Sequence, residues 1–226
     1  MMTVLSTKKL KHNQRSLLLS AKFSLVEYDA IHITFVPFEM PKNIENAIFT
    51  SQNAVISFFD KNNSPSAIKN CFCVGEKTKA LLEEKGQEVV MMTEYATELA
   101  DYLVENHKED SFHFFCGNIR GDEIPTRLTE NNINFKEIVV YKTILNPKKF
   151  ERGFDAILFF SPSGVRSYYE ANRPVRFSKP DRSEAVSICI GTTTASEAKN
   201  YSENVVISNS TTVESVIAKA VKILKN

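Results

Sequence analysis

Residues 157–169 read Ile157-Leu158-Phe159-Phe160-Ser161-Pro162-Ser163-Gly164-Val165-Arg166-Ser167-Tyr168-Tyr169, and residues 47–59 read Ala47-Ile48-Phe49-Thr50-Ser51-Gln52-Asn53-Ala54-Val55-Ile56-Ser57-Phe58-Phe59. Each stretch opens on an apolar run, breaks at hydroxylated residues and continues with mixed polar and apolar residues. That is a buried strand whose end starts a helix. The likeness continues downstream, where Cys73-Val74-Gly75-Glu76-Lys77-Thr78 matches Cys189-Ile190-Gly191-Thr192-Thr193-Thr194. Further on, Thr97 and Thr211 each open a helical stretch. Three landmarks in one order and similar spacing make an internal repeat of α/β units.

A second repeat interleaves with the first. Val4-Leu5-Ser6-Thr7 begins a strand–helix piece that runs into Ala30–Val36, and Phe112–Gly117 begins another that runs into Ile138–Ile144. The chain therefore starts one domain, builds all of a second, and returns to finish the first. The expected domains are 1–35 with 146–226, and 37–144. The expected fold is α/β, with two similar flavodoxin-like three-layer domains carrying parallel sheets. Ala30–Phe38 and Ile138–Leu145 would form a two-stranded β linker, leaving a cleft between the domains.

Strands are expected at Thr3–Ser6, Ala47–Phe49, Cys71–Val74, Phe112–Cys116, Ala156–Phe160 and Val186–Ile190. In the last helix Val213, Val216, Ile217, Ala220 and Leu224 share a face, and Thr211 with Glu214 reads as its capping box. Pro125 suits the first turn of a helix continuing to about Asn131.

Composition narrows the function. The chain has 226 residues, 28 Lys+Arg against 27 Asp+Glu, and a net charge of +1, which argues against a general nucleic-acid binder. Its 7 glycines are scattered, so neither a dinucleotide fingerprint nor a Walker-type loop can be assembled. This weakens a nucleotide-dependent transferase. Cys71, Cys73, Cys116 and Cys189 read as reduced structural thiols, and the four histidines make no ligand pair. No stretch approaches the ~18 apolar residues that span a bilayer, and the basic N-terminus lacks a signal peptide's apolar core. A cytoplasmic protein without membrane partners, sufficient as a monomer, is expected.

In parallel sheets, ligands lie beyond the carboxyl ends of strands, where helix N-termini direct free amides outward. Here those ends carry Thr50-Ser51, Gly75–Thr78, Gly117-Asn118, Ser161–Gly164 and Gly191–Thr194. Any one hydroxyl in such a place can simply cap a helix. Taken together, matching ends in both repeats suit a ligand with many carboxylates. No strained nucleophile elbow occurs, so chemistry would rest on positioning and on weak acids such as Tyr, Thr or water.

The ordered set Val74-Gly75-Glu76-Lys77-Thr78, Phe115-Cys116-Gly117-Asn118, Val140-Tyr141-Lys142-Thr143, Phe160-Ser161-Pro162-Ser163-Gly164-Val165 and Ile190-Gly191-Thr192-Thr193-Thr194-Ala195 resembles the uroporphyrinogen-III synthases over nearly the whole chain. The resemblance implies a bilobed enzyme converting the linear tetrapyrrole hydroxymethylbilane into uroporphyrinogen III. Water is lost, the ring closes and the last pyrrole is inverted, without metal or cofactor. The implied partner is this small polycarboxylate tetrapyrrole, with no nucleic acid. Family substrate contacts carry over to Thr50, Ser51, Thr78, Asn118, Ser161, Ser163, Thr193 and Thr194. Where the family often reads Thr-Arg-Pro, this chain has Thr7-Lys8-Lys9, so Lys8 keeps the cation without the bidentate fork. Some members place a tyrosine, a suspected acid, where this chain has Ser167. The neighbouring Tyr168 is the candidate acid, although its repeat partner Phe58 equally suits a core position. The other reading is a non-catalytic, two-lobed binding or regulatory module for a small polyanion.

Overall fold

The computed structural model describes residues 1–60, 68–172 and 185–225. In chain order the elements are β1 (Thr3–Ser6), α1 (His12–Ser20), β2 (Ser24–Glu27), β3 (Ile31–Phe35), β4 (Ile44–Phe49), α2 (Gln52–Phe58), β5 (Ile68–Val74), α3 (Glu76–Glu84), β6 (Val89–Thr93) and α4 (Ala96–Asn106). They continue as β7 (Ser111–Gly117), α5 (Glu123–Glu130), β8 (Asn134–Leu145), β9 (Ala156–Phe159), α6 (Pro162–Ala171), β10 (Val186–Cys189), α7 (Thr192–Ala198), β11 (Val205–Ile207) and α8 (Val213–Lys225). No helix among the described residues is long and apolar enough to cross a membrane.

Two compact units result: Met1–His32 with Ile144–Asn226, and Ile33–Thr143. The borders read from the sequence lie slightly further along the chain. The difference falls in the crossing segments, because β3 joins the six-stranded sheet beside β8 and Val36 donates its amide to the Val140 carbonyl at 3.0 Å.

The first unit holds the sheet β11-β10-β9-β1-β2, and the second holds β3-β8-β7-β4-β5-β6. Pairings along β11-β10-β9-β1-β2 and β8-β7-β4-β5-β6 are parallel. Numbered by appearance, the first unit has the flavodoxin-like order 2-1-3-4-5, whereas the five parallel strands of the second run 3-2-1-4-5. The spatial arrangement is nevertheless shared. β9, β10, β11, β1 and β2 correspond in place to β4, β5, β6, β7 and β8, with the chain entering at a different point. The strand order reverses between β1 and β9 in one sheet, and between β4 and β7 in the other, the kind of switch point where open parallel sheets commonly hold ligands.

Apolar strands with helices on both faces give each unit two core layers. In the second unit, Phe115 stacks on Phe49 at 5.3 Å and meets Phe58 edge-on at 4.7 Å. On the other face of that sheet, Phe72, Phe112 and Phe114 pack with Leu99, Leu103 and Leu128. In the first unit, α8 lays Val216, Ile217 and Ala220 against Val4, Leu18 and Leu158. Its cap lies one residue later than the sequence suggests. The Ser215 amide donates to Thr212 Oγ1 at 3.2 Å, while Glu214 is drawn away to accept from Gln14 Nε2 at 2.7 Å.

All four cysteines are buried free thiols. Burial pushes Cys71, Cys73 and Cys189 up to about 12 and Cys116 up to about 11, from an ordinary value of 9.0. In the unfolded chain they ionise near that ordinary value. Above it the unfolded state holds fewer protons than the folded one, so stability falls as pH rises from 9 toward the folded values. The urea midpoint is expected to drop between about pH 8 and pH 10; a flat profile would contradict the burial.

Candidate functional site

In the first unit, the switch point brings the end of β1 to the start of α6. Ser161 caps that helix by accepting the Gly164 amide at 3.0 Å, and Pro162 occupies its first turn. Thr7 donates its hydroxyl to the Leu158 carbonyl at 2.7 Å. A Cβ on Gly164 would stand a tight 3.3 Å from Ser161 Oγ and at an ordinary 3.6 Å from Thr7 Oγ1, so the glycine eases the approach of the Ser161 cap to the helix start. Ser163 is buried in the first turn, Ser161 is half-buried, and Lys8 is exposed with Nζ 5.8 Å from the Phe160 ring centroid. One strand over, α7 begins at Thr192, with Thr193 exposed and Thr194 buried.

The second unit repeats the pattern at its own switch point. Ser51 caps α2 by accepting the Asn53 amide at 3.1 Å, with Thr50 half-buried beside it. Thr78 is buried in the first turn of α3 behind Gly75. The φ of +87° at Gly75 strains any side-chain-bearing residue, and its carbonyl accepts the Thr78 amide at 2.9 Å. Asn118 follows β7 and spends its amide side chain on β8. Its Oδ1 accepts the Thr143 amide at 2.7 Å, and Nδ2 donates to the Thr143 carbonyl at 3.4 Å.

Tyr141 joins this edge. Between the pairs Cys116–Val139 and Gly117–Tyr141 the register shifts, so Val140 and Tyr141 both turn into the core although they are consecutive. Bulges commonly re-aim a side chain in this way. The Tyr141 hydroxyl donates to Ser51 Oγ at 3.1 Å, which sets a phenol between the ends of β4 and β7. A Cβ at Gly117 would fall 2.5 Å from the Tyr141 ring, so only glycine leaves the ring its place. Burial raises the Tyr141 phenol above its ordinary value, the Ser51 hydrogen bond opposes that, and Cys116 adds to it. The group is therefore a neutral hydrogen-bond donor at physiological pH.

Tyr168 lies elsewhere. It is 8% exposed in the second turn of α6, edge-on to Phe159 at 5.8 Å and to Tyr169 at 5.0 Å. Burial, and then Tyr169, push its phenol far above the ordinary range.

The sequence profile described as Uroporphyrinogen-III synthase HemD matches residues 23–218. The chain belongs to the uroporphyrinogen-III synthase family. It is 26% identical over 227 residues to the porphyrin biosynthesis protein HemD of Ruminiclostridium josui, covering 88% of this chain and 43% of that relative. The chain thus spans less than half the length of that relative. Its fold is similar to uroporphyrinogen-III synthetase from Helicobacter pylori, with TM-score 0.68 and 17% identity over 99% of this chain and 100% of that one. It is likewise similar to a mutant uroporphyrinogen III synthase from the extremely thermophilic bacterium Thermus thermophilus, with TM-score 0.72 and 13% identity over 100% and 99% of the two chains. Tyr141 lies in the Val140-Tyr141-Lys142-Thr143 motif shared with the uroporphyrinogen-III synthases but is not among the site residues expected from the sequence. The signal for it was Gly117, a glycine at a strand end where a ring from the next strand needs room.

Proposed function

We propose that this chain is a uroporphyrinogen-III synthase acting on hydroxymethylbilane. The hydroxymethyl C–O bond breaks with proton transfer to the departing oxygen, and water leaves. The freed methylene carbon bonds to the bridged α-carbon of the last pyrrole. The old bridge bond at that carbon breaks and re-forms at the pyrrole's free α-carbon, and the proton on that carbon is lost, so the ring closes with the last pyrrole inverted. The family match across 23–218 carries this reading. The strand-end chemistry supports it, because amides and hydroxyls hold carboxylates without a strongly basic surface.

Lys8, Thr50, Ser51, Thr78, Asn118, Ser161, Ser163, Thr193 and Thr194 bind substrate carboxylates in this reading. Two phenols are candidates for delivering the proton. Tyr141 is favoured over Tyr168, since its hydroxyl lies at a switch point with Ser51 at 3.1 Å, whereas Tyr168 sits among core rings. The protein works as a cytoplasmic monomer, without nucleic acid, metal or cofactor.

Thr78→Ala and Thr194→Ala are each expected to raise KM about ten- to a hundredfold, the loss of one hydrogen bond to a charged group, while melting stays cooperative. Unchanged kinetics in both would remove these edges from the site. With Tyr141 as donor, Tyr168→Phe keeps a near-normal rate; a several-fold loss of turnover in Tyr168→Phe would instead make Tyr168 the acid. The reaction itself is tested by supplying fresh hydroxymethylbilane and identifying the product isomer. Uroporphyrinogen III supports the assignment. Isomer I at the spontaneous rate, with uroporphyrin still raising Tm, would point to the binding module instead.

A further inference from the structure

The loop leaving β1 is tied down almost residue by residue. Ser6 Oγ donates to the Lys8 carbonyl at 2.6 Å. The Lys9 amide donates to Asp29 Oδ1 at 3.0 Å, the Leu10 amide to Glu27 Oε1 at 2.7 Å, and the Lys11 amide to Gln14 Oε1 at 2.9 Å. The Leu10 side chain is buried in the core with Val4 and Leu18.

The same two carboxylates sort the charges of this basic stretch. Glu27 Oε2 holds Arg15 Nε at 2.7 Å, and Asp29 Oδ2 lies 3.8 Å from Lys9 Nζ. Among the described residues neither the Lys8 nor the Lys11 ammonium has a carboxylate, but of the Thr7–Lys11 amides only that of Lys8 has no acceptor, and the Lys8 Nζ stands over Phe160 at the entry to α6.

We infer that Glu27 and Asp29 are positioning residues for the substrate, acting through the backbone of the Thr7–Lys11 loop. They hold the loop in the one form in which the Lys8 amide and ammonium together face a substrate carboxylate. This rests on the proposed reaction for its substrate. The ion pair of Asp29 with Lys9 contributes little, because its partners are 3.8 Å apart and Lys9 is well exposed. The amide bonds matter more, since a carboxylate accepting an N–H is the stronger, charge-assisted kind. Without them the loop samples many forms, and ordering it on binding weakens affinity rather than the chemical step.

The experiment compares KM and kcat for hydroxymethylbilane across a small set of variants. Asp29→Ala and Glu27→Ala are expected to raise KM about fivefold or more with kcat within about twofold. Asp29→Asn and Glu27→Gln keep an acceptor oxygen and should recover most of that KM. Lys8→Ala should raise KM similarly, and adding Asp29→Ala to it should raise KM by less than Asp29→Ala does alone, because only the backbone amide contact at position 8 is left to lose. Unchanged KM in Asp29→Ala, or KM effects that multiply with Lys8→Ala, would overturn the inference. If Glu27→Ala does not fold, Asp29 carries the test alone. If wild type yields only isomer I, the reaction assignment fails by itself. Fluorescence titration with uroporphyrin then reads the loop: about fivefold weaker binding by Asp29→Ala sustains the positioning role, and equal binding overturns it.

Discussion

Gly117→Ala is expected to destabilise the protein by about 1–3 kcal/mol, the range for overpacking a filled core, and to cut turnover at least about tenfold. The added Cβ would lie 2.5, 2.6 and 2.8 Å from the Cζ, Cε2 and hydroxyl of Tyr141. Neither partner yields easily. Gly117 ends a strand paired on both sides of the sheet's centre, and Tyr141 packs in one cluster with Phe58, Phe115 and Val140. The ring must turn away, taking its hydroxyl from Ser51. The check is a urea midpoint with kcat on the same preparation, followed by Gly117→Ala in a Tyr141→Ala background. There the second substitution should cost little, because the atoms it strikes are gone. A Gly117→Ala protein as stable and active as wild type would show that the ring is not held where it lies.

Tyr141→Phe is the complementary result. The ring stays, so Tm should move by no more than the loss of one hydrogen bond, about 1 kcal/mol. The donor is lost, so kcat should fall about a hundredfold or more, the low end for a missing general acid, while KM changes little. Burial raises the phenol's pKa, so no alkaline loss of kcat from this group is expected near neutral pH. Loss confined to KM would make Tyr141 a binding group, and a normal kcat would leave the proton to another donor.

The fold was legible wherever burial is complete on both faces of a strand. β1, β4, β7, β9 and β10 carry near-continuous apolar runs, and the interleaved repeat followed from their turn residues. β2, β6 and β11 were missed. These strands lie at or toward sheet margins and are mostly only half-buried, so Ser24–Glu27 and Val89–Thr93 lack a decisive pattern. The strand order of the second unit was not legible either, since the same spatial arrangement arises from either point of chain entry.

The site was legible as strand ends and not as contacts. The caps formed by Ser51 and Ser161 follow from local sequence, because each bonds an amide two or three residues away. Tyr141 and Ser51 are 90 residues apart, and Glu27 reaches Leu10 across α1, so only the folded sheet brings them together. The bulge that turns Tyr141 inward breaks the alternation by which a strand's facing is read.

The assignment as a uroporphyrinogen-III synthase stands or falls on the isomer formed from freshly prepared hydroxymethylbilane, resolved chromatographically after oxidation to the porphyrin. The expected product is uroporphyrinogen III, formed faster than the spontaneous reaction and in proportion to protein added. Isomer I alone, at a rate independent of protein, would contradict it.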